Sequence, residues 1–129
     1  VDLREETHGL FNGHAVSWYG ERDWGNVGKT RQEALQDENQ RLRQAKGQNI
    51  LMANLDKKKM PVSPPINNIE TVMNEQLVEE SAGWYYLLLN DTDDGWAAEK
   101  NVMAFEDFVR TLPHEGWIHF HCEGGNGRT

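Results

Sequence analysis

The stretch WIHFHCEGGNGRT, residues 117–129, decides how the rest of the chain is read. WIHFH (117–121) has the makings of a strand, and it runs directly into HCEGGNGRT, which fits the pattern H-C-x5-R-T. A bare C-x5-R arises by chance. This one follows a predicted strand, holds Gly124, Gly125 and Gly127 in its spacer, and places Thr129 after the arginine, which makes it specific. The five residues from Glu123 to Gly127 let the backbone curl so that successive N–H groups point at one centre, an anion cradle. Glycine permits the dihedrals and the close backbone approach that such a loop needs. Arg128 then grips two phosphoryl oxygens as a planar fork, which lysine cannot do. Cys122, inside a ring of donors, is expected to be a thiolate and hence a nucleophile. His121 is expected to hold the loop through its backbone, and Thr129 to donate its hydroxyl to the sulfur when it leaves.

Working back from this end, strands and helices alternate. Residues 1–4 read as a short strand. Residues 5–29 read as a glycine-rich loop region with a turn at Asn12–Gly13. Thr30 and Glu33 form a capping box for a helix that runs to Gly47, with a thin apolar set that predicts a largely solvent-facing helix. NILMANL (49–55) reads as a buried strand and Pro61–Pro65 as a turn region, with a short strand at 69–73. Asn74 caps a helix through Ser81 that Gly83 ends. WYYLLL (84–89) is a continuous apolar run, the pattern of a strand covered on both faces. Val102, Phe105, Val109 and Leu112 recur at helical spacing until Pro113. The alternation predicts an α/β fold, a mostly parallel central sheet flanked by helices. Sites in such sheets form at the carboxyl ends of strands, and Cys122 sits at one.

Composition narrows the chemistry. The chain has 129 residues, one domain at most. Its formal charge of −8, from 21 acidic and 13 basic residues, argues against nucleic acid. It leaves room for an anionic small molecule, because the local field matters more than the net charge. Lys57, Lys58 and Lys59 form the one basic run, which by composition alone is a solvated turn. The single cysteine rules out an internal disulfide. No apolar run reaches the roughly 18 residues of a membrane span. VDLREETHGL shows no leader pattern.

A cysteine phosphatase needs a general acid for the leaving oxygen. The acidic loop NDTDDGWAA supplies Asp91, Asp93 and Asp94, and composition does not choose among them. A zinc site from His119, His121 and Cys122 is set aside: on a strand the two histidines share one face and the cysteine points to the other. No metal or other cofactor is expected.

At this point the chain resembles the protein-tyrosine-phosphatase-like inositol phosphatases, the bacterial cysteine phytases. The resemblance rests on WIHFHCEGGNGRT and on VDLREETHG, VSWYGERDWGN, TLP…W and TDxxW in the same order, and so covers the whole chain. It implies that Asp93 is the general acid, that Asp23 contacts substrate, and that Lys58 and Lys59 bind phosphates. It also implies a phosphocysteine mechanism on inositol hexakisphosphate and related polyphosphates, and an exported bacterial parent. Asp94, Ala97, Gly124, Asn126 and Lys58 depart from the family pattern, which bears on rate and substrate preference. Family domains are longer, so the chain is expected to be a partial catalytic domain, cut at both ends and inactive alone. Two other readings stay open: a phosphotyrosine or phosphoinositide phosphatase, and a non-catalytic phosphate-binding pseudophosphatase.

Overall fold

The computed structural model describes residues 1–53, 61–123 and 127–128, with the backbone alone for 23, 53 and 61–65. In chain order the elements are β1 (Asp2–Arg4), β2 (His8–Phe11), β3 (His14–Ser17), a 3-10 turn (Glu21–Asp23), α1 (Arg31–Ala45), β4 (Ile50–Ala53), β5 (Pro61–Ile66), β6 (Val72–Met73), α2 (Glu75–Ser81), β7 (Leu88–Asp91) and α3 (Glu99–Thr111). Lys57, Lys58, Lys59, Gly124, Gly125, Asn126 and Thr129 lie outside the described residues, as does the side chain of Asp23.

Three segments far apart in sequence run parallel at the centre. β1 pairs with β7 on one side, and on the other Asp2 bridges His121 in parallel. Leu3 N donates to His121 O at 2.9 Å and His121 N to Val1 O at 3.1 Å. Of the strand expected over 117–121, His121 forms a bridge with Asp2, and the Val1 amino group donates to His119 O at 2.7 Å. Since all three run the same way, the residues after Arg4, Asp91 and His121 emerge at one end. This is the mixed α/β architecture with a parallel centre that the alternation of elements predicts.

Around this centre the chain departs from several expectations. The supposed loop region contains a hairpin, with His8 opposite Ser17 and Phe11 opposite His14. Asn12 and Gly13 both have positive φ, 49° and 81°, the turn whose twist suits a two-residue hairpin. Glycine at 9 hid the strand but is required there. A Cβ would lie 2.7 Å from both the Leu42 side chain and the Met73 carbonyl, so α1 and β6 close onto bare backbone.

The supposed turn at 61–65 is strand β5, antiparallel to β4. Proline is tolerated because a two-stranded sheet is all edge, with N–H positions that need no partner. Leu51 of β4 is exposed, so that strand is not buried. The apolar run 84–89 is not the strand either. Trp84 and Tyr85 are exposed, and the paired residues are Leu88–Asp91, all buried.

The helices are where their signals place them. Thr30 Oγ1 accepts from Glu33 N while Glu33 Oε2 accepts from Thr30 N at 2.7 Å. Asn74 Oδ1 accepts from Leu77 N at 2.9 Å, and Gly83 takes φ 84° just past α2. α1 is solvent-facing apart from Ala34, Glu38, Leu42 and Ala45, a single stripe. Leu42 and Ala45 join Phe11 and Ile69 in one core. A second core of Leu3, Leu89 and Cys122 lies beside the parallel centre, with Phe105 and Ala104 of α3 against it. Val102 and Val109, two of the apolar residues that recur at helical spacing in α3, are exposed.

Candidate active site

Parallel pairing delivers three short segments to the same end: Glu5–Glu6 after β1, the turn 92–95 after β7, and Cys122 after the bridge. Cys122 is buried against Leu3 and Leu89. Arg128 lies over the end of β1, and its fork is occupied by one carboxylate. Nη1 donates to Glu6 Oε2 at 2.6 Å and Nη2 to Glu6 Oε1 at 3.0 Å. The two side chains are 2% and 0% exposed, so this is a dry, bidentate pair. Burial opposes the charge on Arg128, but Glu6, helped by Asp93 and Cys122, raises its pKa above the ordinary arginine value.

The remaining nitrogen, Nε, lies 3.1 Å from Asp93 Oδ1. Of the three aspartates that composition left open, Asp93 is the one whose carboxylate meets Arg128, while Asp91 accepts from Arg128 Nη1 only through its backbone carbonyl, at 3.4 Å. Asp91 is buried and accepts from Asn101 Nδ2 at 2.7 Å, a structural tie to α3. Asp94 is exposed, at the left-handed corner of the turn with φ 57°. Gly127 explains the tight fit of Asp93: a Cβ there would lie 2.8 Å from Asp93 Oδ1. The turn is tied down by Gly95 N donating to Thr92 O, by Thr92 Oγ1 donating to Glu5 Oε1 at 3.2 Å, and by Trp24 Nε1 donating to Asp93 O at 3.2 Å. Burial raises the Glu5 pKa, and the Thr92 bond offsets part of that rise.

Beneath the site lies a second charged cluster. Asp2, fully buried, accepts from Arg4 Nε at 2.9 Å and from the Tyr86 hydroxyl at 2.9 Å, with His8 Nε2 at 2.9 Å. Burial alone would raise the Asp2 pKa, yet hydrogen bonds from His8 and Arg4 hold it well below the carboxylate range. Burial pulls the His8 pKa down, and the hydrogen bond and charge of Asp2, with the charge of Glu38, together more than reverse this. His8 Nδ1 is 2.8 Å from Glu6 O, so the cluster touches the backbone of the residue that holds Arg128. His121 points into this layer, with Nε2 3.1 Å from Glu75 Oε1, and burial lowers its pKa. His119 is exposed, its ring tilted against His121.

Asp2, Glu75 and His121 place ligand atoms within 4.8 Å of one another. They do not suit a cation, because the Arg4 guanidinium already bonds both carboxylates.

Glu5, Glu6 and Trp24 went unnoticed in the sequence. The signal available for the first two was their place just after a predicted strand; for Trp24 there was none beyond its nearness to Asp23. A groove of about 470 Å³ between α3 and the parallel centre reaches Arg128 and Asp91. A larger one of about 790 Å³, lined by Trp84, Tyr85 and Trp117, lies away from the chemistry.

Comparison with known proteins agrees with this fold. The family described as PTP-like phytase, inositol hexakisphosphate, matches residues 1–129. A PTP-like myo-inositol phosphatase from Mitsuokella multacida, solved with myo-inositol-(1,3,4,5)-tetrakisphosphate, is 51% identical with a TM-score of 0.87. The match covers 96% of this chain and 21% of that one. A PTP-like phytase from Bdellovibrio bacteriovorus is 31% identical, TM-score 0.74, over 96% of this chain and 42% of its own. The effector protein HopD2 of Pseudomonas syringae pv. tomato is 30% identical over all of this chain and 29% of its own length. The chain therefore spans between 21% and 42% of the length of these relatives.

Proposed function

Because the chain belongs to the PTP-like phytase family, we propose that it carries the phosphate-transfer centre of an inositol polyphosphate phosphatase that works through a phosphocysteine. One observation carries the reading. Arg128, clamped by Glu6, presents its last nitrogen to Asp93 at the strand ends where Cys122 also emerges.

The steps follow from these groups. Cys122 thiolate attacks phosphorus, the bond from phosphorus to the inositol oxygen breaks, and Asp93 gives its proton to that oxygen. Asp93, now a carboxylate, takes a proton from water as the resulting hydroxide attacks the phosphocysteine. The sulfur–phosphorus bond breaks, freeing phosphate and thiolate. Arg128 and the loop amides bear the charge that develops on the phosphoryl oxygens. A guanidinium pre-aligned by a dry carboxylate loses little entropy when phosphate arrives. A substrate with several phosphates is favoured by the lysine run at 57–59 and by the ligand bound to the Mitsuokella relative.

The test is phosphate release from inositol hexakisphosphate. The PTP-like phytase of Mitsuokella multacida is tandemly repeated, and the test uses a chimera in which residues 1–129 replace the matching segment of one repeat, with the other repeat inactivated. Release is expected with or without chelator, and Cys122→Ser is expected to abolish it. Activity that survives Cys122→Ser, or that needs a metal, sinks the mechanism. A higher kcat/KM on phosphotyrosine peptides would redirect the substrate assignment.

A further inference from the structure

We infer that Trp24 is a positioning residue for proton transfer. Its indole N–H holds the acid turn by the Asp93 carbonyl, so that the carboxyl can swing from Arg128 to the leaving oxygen while its backbone stays in place. The inference rests on the phosphatase reading above and assigns a role to a residue outside the nucleophile–arginine–acid set.

Among the described residues, three contacts hold the turn 92–95 from outside, and they differ in kind. Asp93 Oδ1 pairs with Arg128 Nε at 3.1 Å, on the group that must bind phosphate. That contact yields when substrate enters, since the phosphoryl oxygens compete for the same guanidinium. Thr92 Oγ1 reaches Glu5 Oε1 at 3.2 Å, one residue before Asp93. Trp24 Nε1 meets the carbonyl of Asp93 itself at 3.2 Å, a bond that substrate phosphate does not compete for. It therefore persists when the carboxylate lets go of Arg128, and it restricts where the freed side chain can point.

Trp24 is itself well placed. Its N donates to Glu21 O at 3.0 Å and its carbonyl accepts from Val27 N at 3.2 Å. Gly20 packs on Gly25, where a Cβ would lie 3.0 Å from Gly25 N, closing the segment that carries the indole. The Arg22 guanidinium lies 5.2 Å from the indole ring centre and covers one face. Yet Trp24 is exposed and belongs to neither apolar core, so packing does not account for it. Its segment also contains Asp23, assigned to substrate contact by resemblance. Substrate engagement at residues 22–24 would thus bear directly on the proton donor.

The experiment compares two leaving groups in the chimera described above. Inositol hexakisphosphate expels an alkoxide that must be protonated, whereas p-nitrophenyl phosphate expels a stabilised phenolate that need not be. Trp24→Phe keeps the ring and removes the donor. It is expected to lower kcat on the inositol phosphate by about 10- to 100-fold with KM little changed. On p-nitrophenyl phosphate it should change kcat less than about twofold. In an Asp93→Asn background it should cost nothing further. Equal losses on both substrates, or a full extra loss in the Asp93→Asn background, would overturn the assignment while leaving the phosphatase reading intact. Wild-type turnover of neither substrate would overturn both. Independently of turnover, the Trp24 indole proton should exchange with solvent more slowly than that of Trp96, which is 99% exposed. Equal exchange overturns the assignment.

Discussion

Two buried arginine–carboxylate clusters are built around β1, one on Asp2 and Arg4 and the other on Glu6 and Arg128, and only the second holds residues proposed for catalysis. In the first, the Asp2 carboxylate is taken up by Arg4, His8 and Tyr86, and Arg4 is shared with Glu75. These charges bond one another, and Arg4, His8 and Glu75 are carried by β1, β2 and α2. In the second, Glu6 takes two nitrogens of Arg128 with the same closeness, but the third faces Asp93 on a turn. The Asp93 side chain is 25% exposed, against 0% for Glu6. A buried ion pair becomes a binding site when one of its partners can be exchanged for a ligand at little cost. Burial and pairing alone, which both clusters share, do not make one.

The comparison predicts opposite outcomes for two similar substitutions. Asp93→Asn should lower turnover of inositol hexakisphosphate by about 10²- to 10⁴-fold, the usual worth of a general acid. The urea midpoint should barely move, because Arg128 keeps Glu6. Asp2→Asn should do the reverse, costing about 3–5 kcal/mol in urea unfolding because Arg4 and His8 lose a buried partner. Its effect on kcat should be smaller than that of Asp93→Asn. If Asp2→Asn unfolds no more easily than wild type, the distinction between a closed and an open cluster fails.

A smaller effect sharpens the same contrast through pH. His8 faces Asp2 and Arg4 from β1, Glu38 from α1, Glu75 from α2 and the Glu6 carbonyl. Its folded pKa is raised, so the stability it contributes is present below the unfolded imidazole value of about 6.5 and is lost as pH rises through the folded value. Asp2 has the opposite sign. Its folded pKa is lowered, so its contribution holds above about pH 4 and falls away only in acid. His8→Gln should cost about 1.5–3 kcal/mol at mildly acidic pH and less in alkali. Urea midpoints on either side of neutrality check this, and a constant difference would show that His8 is neutral in the fold.

Local signals were legible wherever a few adjacent residues satisfy one another. The Thr30–Glu33 box, the Asn74 cap and the Asn12–Gly13 turn are all of this kind. The errors fall where an element owes its place to a distant partner. The strand sits at 88–91, and not at the apolar 84–89, because pairing with β1 selects those residues and buries Asn90 and Asp91 despite their polarity. Glu38, on a helix face that looked polar, is buried because His8 N donates to it at 3.2 Å.

The sequence by itself determined the family, which the match over residues 1–129 bears out, and it proposed the nucleophile and the arginine from their spacing alone. It also supplied three candidate acids without choosing between them. Only the tertiary structure set Asp93 on Arg128, gave Arg128 its clamp from Glu6, 122 positions away, and joined the acid turn to Trp24. Those contacts exist because parallel pairing of three short segments brings their carboxyl ends together, and no pattern of neighbouring residues encodes which ends will meet.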